Sequence, residues 1–294
     1  REQEESRCQL VLNLARDDVK QHLIDIFDDL LSNNNIEYIK WDMNRYISQA
    51  AWKDAPFGNQ KAVWVQYVRN LYEVYEFITN KFPDVIVENC ASGGLRSDIG
   101  TMRYSHRLNI TDNHDPVDEI YLREGYTHIN PWRSIGGAGH ITQNGYGMNR
   151  RDCPLKYKAL LGMTGTLSVG IDLMALTEDE LTEISGYVEL AKNTRETVQL
   201  GTPYLLASLK DDGYMAIEFV NQAKTDVNVF IFAPLNTFAF CTPCLKLHGL
   251  ENDAIYSVDG KYQMSGEGLM NKGIDANVHT LGNMGCRLIH IEKV

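Results

Sequence analysis

Residues 36–42 read Ile-Glu-Tyr-Ile-Lys-Trp-Asp, a run rich in β-branched and aromatic residues that predicts a β-strand ending on a carboxylate. Apolar residues at helical spacing predict one helix before this strand, over about residues 17–32, and another after it, over about residues 61–81. Residues 85–89 predict the next strand. Because strands that alternate with helices form βαβ units, this part of the chain predicts a parallel sheet and an α/β fold.

The alternation continues to about residue 198. Further strands are expected at residues 9–14, 106–110, 127–131 and 164–170, and further helices after Pro116 and over residues 177–197. A complete (β/α)8 barrel has eight strands, and the sequence shows about six. Residues 1–198 are therefore predicted to form either a TIM-type barrel that lacks its first strands or a smaller open sheet.

The pattern changes after Gly201. Short alternating runs at residues 204–209, 214–221 and 227–232 predict strands, and Asp211-Asp212-Gly213 predicts a hairpin turn between the first two. Two more runs, at residues 278–281 and 286–291, extend the series. Residues 199–294 are therefore expected to form a C-terminal antiparallel β-sandwich domain.

The net charge and the hydropathy of the chain argue against nucleic acid and membranes as partners. The chain has 294 residues and a formal net charge of −11. Because such a chain has no basic stripe to neutralise phosphates, we do not expect nucleic acid as a partner, and a neutral ligand such as a sugar suits it better. No stretch approaches the roughly 18 consecutive apolar residues that span a bilayer, so we expect no membrane partner either.

Six cysteines are spread thinly over the chain, which does not predict a disulfide framework. Free thiols favour a reducing compartment such as the cytoplasm. Cys241 and Cys244 make only half of a zinc site, and the histidines lack ligand spacing, so no metal is expected. The charged start at residues 1–5 has no methionine and no signal peptide, so we expect a chain cut from a longer protein, whose compartment stays open.

Two carboxylates, Asp42 and Asp112, follow predicted strands, where α/β enzymes carry their chemistry. Retaining glycoside hydrolysis needs two carboxyl groups about 5–5.5 Å apart, one ionised and one protonated. Lys40 lies two residues before Asp42, on the same side of the strand, so its charge would keep Asp42 ionised. Trp41 and Trp132 would supply apolar faces for a sugar ring. The competing interpretation is that each aspartate only caps the following helix.

Four segments resemble a known family. They are Tyr-Ile-Lys-Trp-Asp-Met-Asn-Arg at 38–45, Glu-Asn-Cys-Ala-Ser-Gly-Gly-Leu-Arg-Ser-Asp at 88–98, Thr-Asp-Asn-His-Asp at 111–115 and Arg-Cys-Gln-Leu-Val-Leu at 7–12. In order and spacing they are similar to segments of glycoside hydrolase family 36, the bacterial α-galactosidases. The resemblance covers essentially the whole chain.

The resemblance implies a (β/α)8 barrel followed by a β-sandwich. It implies hydrolysis of terminal, non-reducing α-galactosides of the melibiose and raffinose type, with retention and without metal or cofactor. Asp42 would be the nucleophile and Asp112 the acid/base. The residues implied to bind the substrate are Arg7, Lys40, Trp41, Asn44, Cys90, Ser92 and Asn109. Family members often assemble as tetramers, so the resemblance also allows a homo-oligomer.

Departures from the family pattern leave alternatives open. Asn109 stands where the family usually has tryptophan, and with Cys90 and Ser92 it would surround the sugar's 2-position, opening room for an N-acetyl group. The activity would then be that of an α-N-acetylgalactosaminidase. Transfer of galactose to a sugar acceptor is a further variant, because a retaining enzyme passes its glycosyl group to whichever acceptor arrives. Since the family's first barrel strands are missing, the alternative of a different class is a non-catalytic sugar-binding fragment.

Overall fold

The structure, a computed structural model, describes residues 8–48, 50, 52, 55, 60–136, 140–236 and 244–294. The chain divides into two compact units, Arg1–Asp112 and Asn113–Val294. The predicted domain boundary between residues 198 and 199 stays a prediction. Within the described ranges, no helix has the length and apolar character needed to cross a membrane.

The first unit alternates helices with parallel strands. Its elements are α1 (Asp17–Asn33), β1 (Tyr38–Asp42), α2 (Ala62–Lys81), β2 (Ile86–Cys90), α3 (Ile99–Met102) and β3 (Arg107–Asn109). Strand β2 pairs in parallel with both β1 and β3, which places Asp42 beside Cys90 and Glu88 beside Arg107. The two predicted helices are confirmed, and so are the strands predicted at residues 36–42, 85–89 and 106–110.

The strand predicted at residues 9–14 is wrong. Residues 10–13 have no regular structure, and the side chains of Leu10 and Leu12 are exposed. A strand must bond its backbone groups to a neighbour. Among the described residues, this segment makes no ladder and has only one bridge residue, Gln9.

The sheet of the first unit packs on its helices through one face. Tyr75 and Ile78 of α2 are fully buried in one cluster with Val87 of β2. The ring of Trp41 lies on the same face, with its centroid 5.0 Å from that of Phe27 and 4.8 Å from that of Tyr75. Because side chains alternate along a strand, the even-numbered residues of β1 and β2 point away from these helices.

The second unit combines helices with an antiparallel sheet. Its helices are α4 (Pro116–Thr127), α5 (Leu155–Met163), α6 (Glu178–Leu200), α7 (Leu209–Asp212) and α8 (Gly266–Asn271). Its strands are β4 (Ile135–Gly136), β5 (His140–Ile141), β6 (Ser168–Val169), β7 (Thr202–Ala207), β8 (Met215–Val220), β9 (Asp226–Ala233), β10 (Cys244–Leu245), β11 (Ile255–Val258), β12 (Tyr262–Ser265), β13 (Ile274–Asp275) and β14 (Gly285–Lys293).

Six of these strands form one antiparallel sheet, in the order β12-β11-β14-β9-β8-β7, and both faces of its central strands β8 and β9 are buried. Met215 and Phe219 of β8 face a core that includes Tyr157 of α5 and Val198 of α6. The opposite face packs on Leu269 of α8 and on the small sheet β10–β13. The structure therefore shows the predicted α/β content and antiparallel sheet. Within the described residues, the covering sheet has two strands.

The hairpin predicted around residues 211–213 is confirmed, since β7 and β8 pair antiparallel, and its connection is one helical turn, Leu209–Asp212, closed by Gly213 at φ 76°. Two other local predictions in this unit are wrong. Residues 128–130 form turns, and the strand begins later, at Ile135. Val278–Thr280 is a 3-10 helix. Apolar runs of four or five residues fit a strand and a short helix equally well, so periodicity alone could not separate the two.

Candidate active site

Polar side chains fill the face of the parallel sheet that points away from the helices. They form two rows across β1, β2 and β3: a charged row, Lys40–Glu88–Arg107, and a terminal row, Asp42–Cys90–Asn109. The terminal row lies at the carboxyl ends of the strands, where parallel sheets place their chemistry.

Asp42 ends β1 and accepts a hydrogen bond at its Oδ2 from the Nδ2 of Asn44, at 2.9 Å. The Cys90 thiol and the backbone N–H of Ser92 also act on this carboxylate and lower its pKa. Burial raises the pKa of Asp42, but these polar groups and the charge of Lys40 outweigh burial, so the net pKa lies below its usual value. Asp42 is therefore ionised at neutral pH.

Two buried side chains, those of Cys90 and Asn109, lie between the two predicted catalytic aspartates. The Cys90 thiol lowers the pKa of Asp42, and its Sγ accepts a hydrogen bond from the Nδ2 of Asn109 at 3.2 Å. The same Nδ2 donates to Oδ1 of Asp112 at 3.0 Å. Burial raises the pKa of Cys90, so the thiol keeps its proton and donates to Asp42. Cys90 and Asn109 are buried, whereas both carboxylates are exposed.

The turn after β2 approaches the segment that carries Asp112. Ser92 and Gly93 both have left-handed backbone, with φ of 48° and 82°. A Cβ at Gly93 would lie 2.8 Å from the Cα of Thr111 and 3.0 Å from the backbone nitrogen of Asp112. Only glycine fits this position without displacing the neighbouring backbone. Gly93 thus fixes how closely the turn approaches the Asp112 segment.

Sequence reasoning missed Glu88, the centre of the charged row. Its buried carboxylate lies 3.6 Å from Nζ of Lys40 and 3.5 Å from Nε of Arg107. The hydroxyl of Tyr38 also donates to it. Burial and this bond raise the pKa of Tyr38 to about 12. A signal was present, because Glu88 lies two residues before Cys90 on the same side of the strand.

Both predicted aromatic faces are committed to packing, which corrects the expectation that they bind sugar. Trp41 is adjacent to Asp42 in sequence, so its ring points to the opposite face of the sheet and packs edge-on against Phe27. Trp132 is buried in the second unit, where its ring lies edge-on to Phe219.

The competing interpretation, in which an aspartate caps a helix, applies to other residues. Asp98 accepts a hydrogen bond from the first turn of α3, and Asp115 accepts two from the first turn of α4. Asp42 accepts its side-chain hydrogen bond from Asn44, and Asp112 accepts one from Asn109. Helix capping therefore does not account for the two predicted catalytic residues.

The remaining predicted ligands divide into two groups. Lys40, Asn44, Cys90, Ser92 and Asn109 lie with the two aspartates around the ends of the parallel strands, and the Oγ of Ser92 donates to Oδ1 of Asn44 at 3.3 Å. Arg7 lies outside the described residues. In the part of the chain that the structure describes, no group of three or more His, Cys, Asp or Glu side chains could hold a metal ion.

Two family models match the chain. The Melibiase model matches residues 1–201, and the model of the glycosyl hydrolase family 36 C-terminal domain matches residues 214–291. The chain belongs to glycosyl hydrolase family 36. The resemblance carried by the four sequence segments is thereby confirmed.

Relatives of this family 36 chain are named α-galactosidases. It is 31% identical, over 98% of its length, to probable alpha-galactosidase G of Aspergillus terreus, of which it covers 38%. It is 30% identical, over 93% of its length, to alpha-galactosidase AgaA of Geobacillus stearothermophilus, of which it covers 37%. An AgaA variant solved in complex with raffinose matches all of this chain with a TM-score of 0.92 and 28% identity, and the chain covers 40% of it. The family 36 chain thus spans about two-fifths of the relatives it matches.

Proposed function

We propose that the protein containing this chain is a retaining exo-α-galactosidase, which releases terminal non-reducing α-D-galactose from α-galactosides of the melibiose and raffinose type. One observation carries the proposal: two exposed carboxylates lie at the ends of the parallel strands, Asp42 paired in register with Cys90, and Asp112 hydrogen-bonded to Asn109, which also donates to Cys90. Variants of the relative AgaA have been solved with raffinose and with stachyose, which supports this class of substrate.

In the proposed reaction, Asp42 is the nucleophile and Asp112 the acid/base. The ionised Asp42 attacks the anomeric carbon while Asp112 donates a proton to the leaving oxygen, so the glycosidic bond breaks as a glycosyl ester forms. Water then attacks the ester, Asp112 takes its proton, and Asp42 leaves as a carboxylate. The lowered pKa of Asp42 supports its part, because only the ionised form is nucleophilic.

Galactose hydroxyls would be bound by residues around the terminal row. Lys40 and Asn44 flank Asp42 along the chain and offer N–H donors to hydroxyl oxygens. The buried Glu88 lies 3.6 Å from Nζ of Lys40, which supports a fixed direction for that side chain. Cys90 is small enough to let the ring approach, and Arg7 would be a further donor.

We also propose the finer architecture. The parallel strands of the first unit would belong to a (β/α)8 barrel, and the six-stranded sheet would belong to a C-terminal β-sandwich domain, with the boundary between residues 198 and 199. The match to the AgaA structure over the whole chain supports this arrangement. A homo-oligomer stays a prediction, which sedimentation of the whole protein would test.

Asn109 favours a second candidate function, that of an α-N-acetylgalactosaminidase. The residues expected around the sugar's 2-position, Cys90, Ser92 and Asn109, all have small side chains. A small side chain in the place of tryptophan would leave room for an N-acetyl group. A pocket of the right size distinguishes such substrates by roughly 10–200-fold, so paired substrates separate the two activities.

The test is release of aryl alcohol by the whole protein from paired aryl α-galactoside and α-N-acetylgalactosaminide substrates. Asp42→Asn keeps the shape of the side chain but removes the nucleophile, so we expect kcat to fall by at least about 10⁴-fold. Asp84→Asn, at an exposed position away from the terminal row, is the matched control and should keep full activity.

Each outcome has a separate meaning. Full turnover by the Asp42→Asn variant would refute Asp42 as nucleophile. Faster cleavage of the N-acetyl substrate would establish the second candidate. Binding of galactose by the wild-type protein without turnover of either substrate would favour the sugar-binding alternative. Nuclear magnetic resonance of the first-formed sugar distinguishes retention, which gives the α-anomer, from inversion.

A further inference from the structure

Arg96 is a buried cation that the proposed mechanism does not use. It has 8% of its surface exposed and lies on the face of the sheet that packs against α2. Its Cζ lies 5.1 Å from the ring centroid of Trp41 and 5.7 Å from that of Tyr75. Among the described residues, aromatic rings and backbone carbonyls lie around its charge, and no carboxylate forms an ion pair with it. A buried charge without hydrogen bonds costs folding free energy, so the hydrogen bonds of this guanidinium fix its position.

These hydrogen bonds join the ends of β1 and β2. The Nη2 of Arg96 donates to the carbonyl oxygens of Trp41, at 2.7 Å, and of Cys90, at 3.1 Å. Its Nε donates to Oδ1 of Asn89 at 2.8 Å. The Nδ2 of Asn89 in turn donates to the carbonyl oxygen of Arg96 at 2.6 Å. One nitrogen thus ties the residue before Asp42 to Cys90, across the two strands.

The backbone pairing of β1 with β2 ends at this point. The β1–β2 ladder stops at the pair Asp42 and Cys90, and one further bond, from the backbone nitrogen of Met43 to the carbonyl oxygen of Cys90 at 3.1 Å, follows it. The side chains of Asp42 and Cys90 leave the sheet on the face opposite Arg96. A shift of the carbonyls that Arg96 holds would therefore move both side chains.

We propose that Arg96 is a positioning residue, which sets the distance between the Asp42 carboxylate and the Cys90 thiol by fixing the backbone behind them. This inference rests on the proposed function, in which Asp42 is the nucleophile. The planar guanidinium supplies several donors in fixed directions, and a lysine ammonium does not reproduce them. A displacement of about 1 Å at a reacting group costs on the order of 100-fold in rate.

The first test compares Arg96→Lys with Arg103→Lys in the whole protein. Arg103 is a matched control, since it is exposed and its Cζ lies 5.6 Å from the ring of Tyr104. We expect Arg96→Lys to lower kcat by roughly 100-fold. KM should change by less than about threefold, because the other sugar ligands stay in place. Arg103→Lys should match the wild type. A wild-type kcat in the Arg96→Lys variant would overturn the proposal.

A second readout does not depend on turnover. Cys90 is 1% exposed, so the rate of its alkylation by iodoacetamide, followed by peptide mass spectrometry, reports opening of the strand ends. We expect Arg96→Lys to speed this reaction by at least about tenfold, while hydrogen exchange of the α2 amides stays as in the wild type. Unchanged labelling of Cys90 would overturn the proposal. Equal loss of protection in α2 would also do so, because Arg96 would then stabilise only the fold.

The two readouts also separate this inference from the proposed function. If the wild-type protein cleaves neither of the paired substrates, the proposed function is refuted. The labelling of Cys90 still decides whether Arg96 holds the strand ends. If the wild-type protein is active and the Arg96→Lys variant is equally active, only the proposed role of Arg96 is refuted.

Discussion

A lowered pKa does not by itself mark an active-site carboxylate, and the surroundings of Asp42 and Asp98 show the difference. Burial raises the pKa of both, and hydrogen bonds outweigh burial in both, so both lie below the usual value. The donors to Asp98 include Thr101, through its hydroxyl and its backbone N–H, so this carboxylate is occupied by α3. The donors to Asp42 come from Asn44, Cys90 and the backbone of residue 92, at the exposed end of a strand.

The effect of the Cys90 thiol on the pKa of Asp42 makes a prediction about how activity depends on pH. Removing this donor in Cys90→Ala raises the pKa of Asp42, because burial of the carboxyl is then opposed by fewer bonds. We expect the acidic limb of the kcat/KM profile to move to higher pH and activity at pH 7 to fall about tenfold. Cys90→Ser should restore much of the profile, since a hydroxyl also donates. Cys244→Ala, at an exposed thiol, is the control. An acidic limb at the wild-type pH in Cys90→Ala would exclude the thiol as a donor that matters.

At the scale of elements, the sequence correctly predicted those helices and strands whose periodic pattern is matched by a neighbouring element to pair with or pack on. The helices α1 and α2 and the three parallel strands followed from their patterns, whereas residues 9–14 have a strand-like pattern and no ladder partner among the described residues. The site was predictable in its terminal row, because motif and strand end coincide at Asp42. Trp41 was misplaced because adjacency in sequence means opposite faces in a strand. Arg96 and Gly93 act through backbone contacts made on folding, which no spacing rule reveals.

The turn after β2 gives a prediction at this scale. Gly93→Ala places a Cβ 2.8 Å from the Cα of Thr111 and in a left-handed conformation, so the turn or the Asp112 segment must move. Backbone strain alone costs about 1–3 kcal/mol of stability. Displacement of Asp112, the proposed acid/base, should also lower kcat by roughly 100-fold.

Gly145→Ala is the matched control for strain without contact. Gly145 has φ of 73°, but a Cβ there meets nothing within 4 Å. We expect this variant to lose stability by a similar amount, measured by urea unfolding, and to keep its kcat. Equal losses of kcat in the two variants would show that strain, rather than the close approach to Thr111, disturbs the site.

At the scale of the whole molecule, the antiparallel sheet of the second unit packs into two hydrophobic clusters, and the carboxyl group of Glu218 is buried within this sheet. Glu218 of β8 is fully buried, and its Oε2 accepts a hydrogen bond from the backbone nitrogen of His248 at 2.8 Å. The imidazole of His248 stacks on the ring of Tyr204, with centroids 5.3 Å apart. The Oε1 of Glu218 has no hydrogen-bond partner among the described residues. Burial raises the pKa of Glu218 to about 8, and the bond from His248 only partly opposes it.

This carboxyl should make the stability of the protein fall as pH rises. An unfolded glutamate has a pKa near 4.5. Below that pH, Glu218 is protonated in both the folded and the unfolded state, so it does not make the free energy of unfolding depend on pH. Between pH 4.5 and about 8 only the unfolded state releases this proton, so the free energy of unfolding decreases by up to about 1.4 kcal/mol per pH unit. Glu218→Gln cannot titrate, and its stability relative to the wild type should therefore grow by roughly 3 kcal/mol between pH 5 and pH 8. Urea unfolding followed by circular dichroism across this range measures the difference, with the exposed Glu292→Gln as control. Parallel curves for the wild type and Glu218→Gln would mean that Glu218 ionises in the folded protein as easily as in the unfolded chain, and that its burial is relieved by water or by local opening of β8.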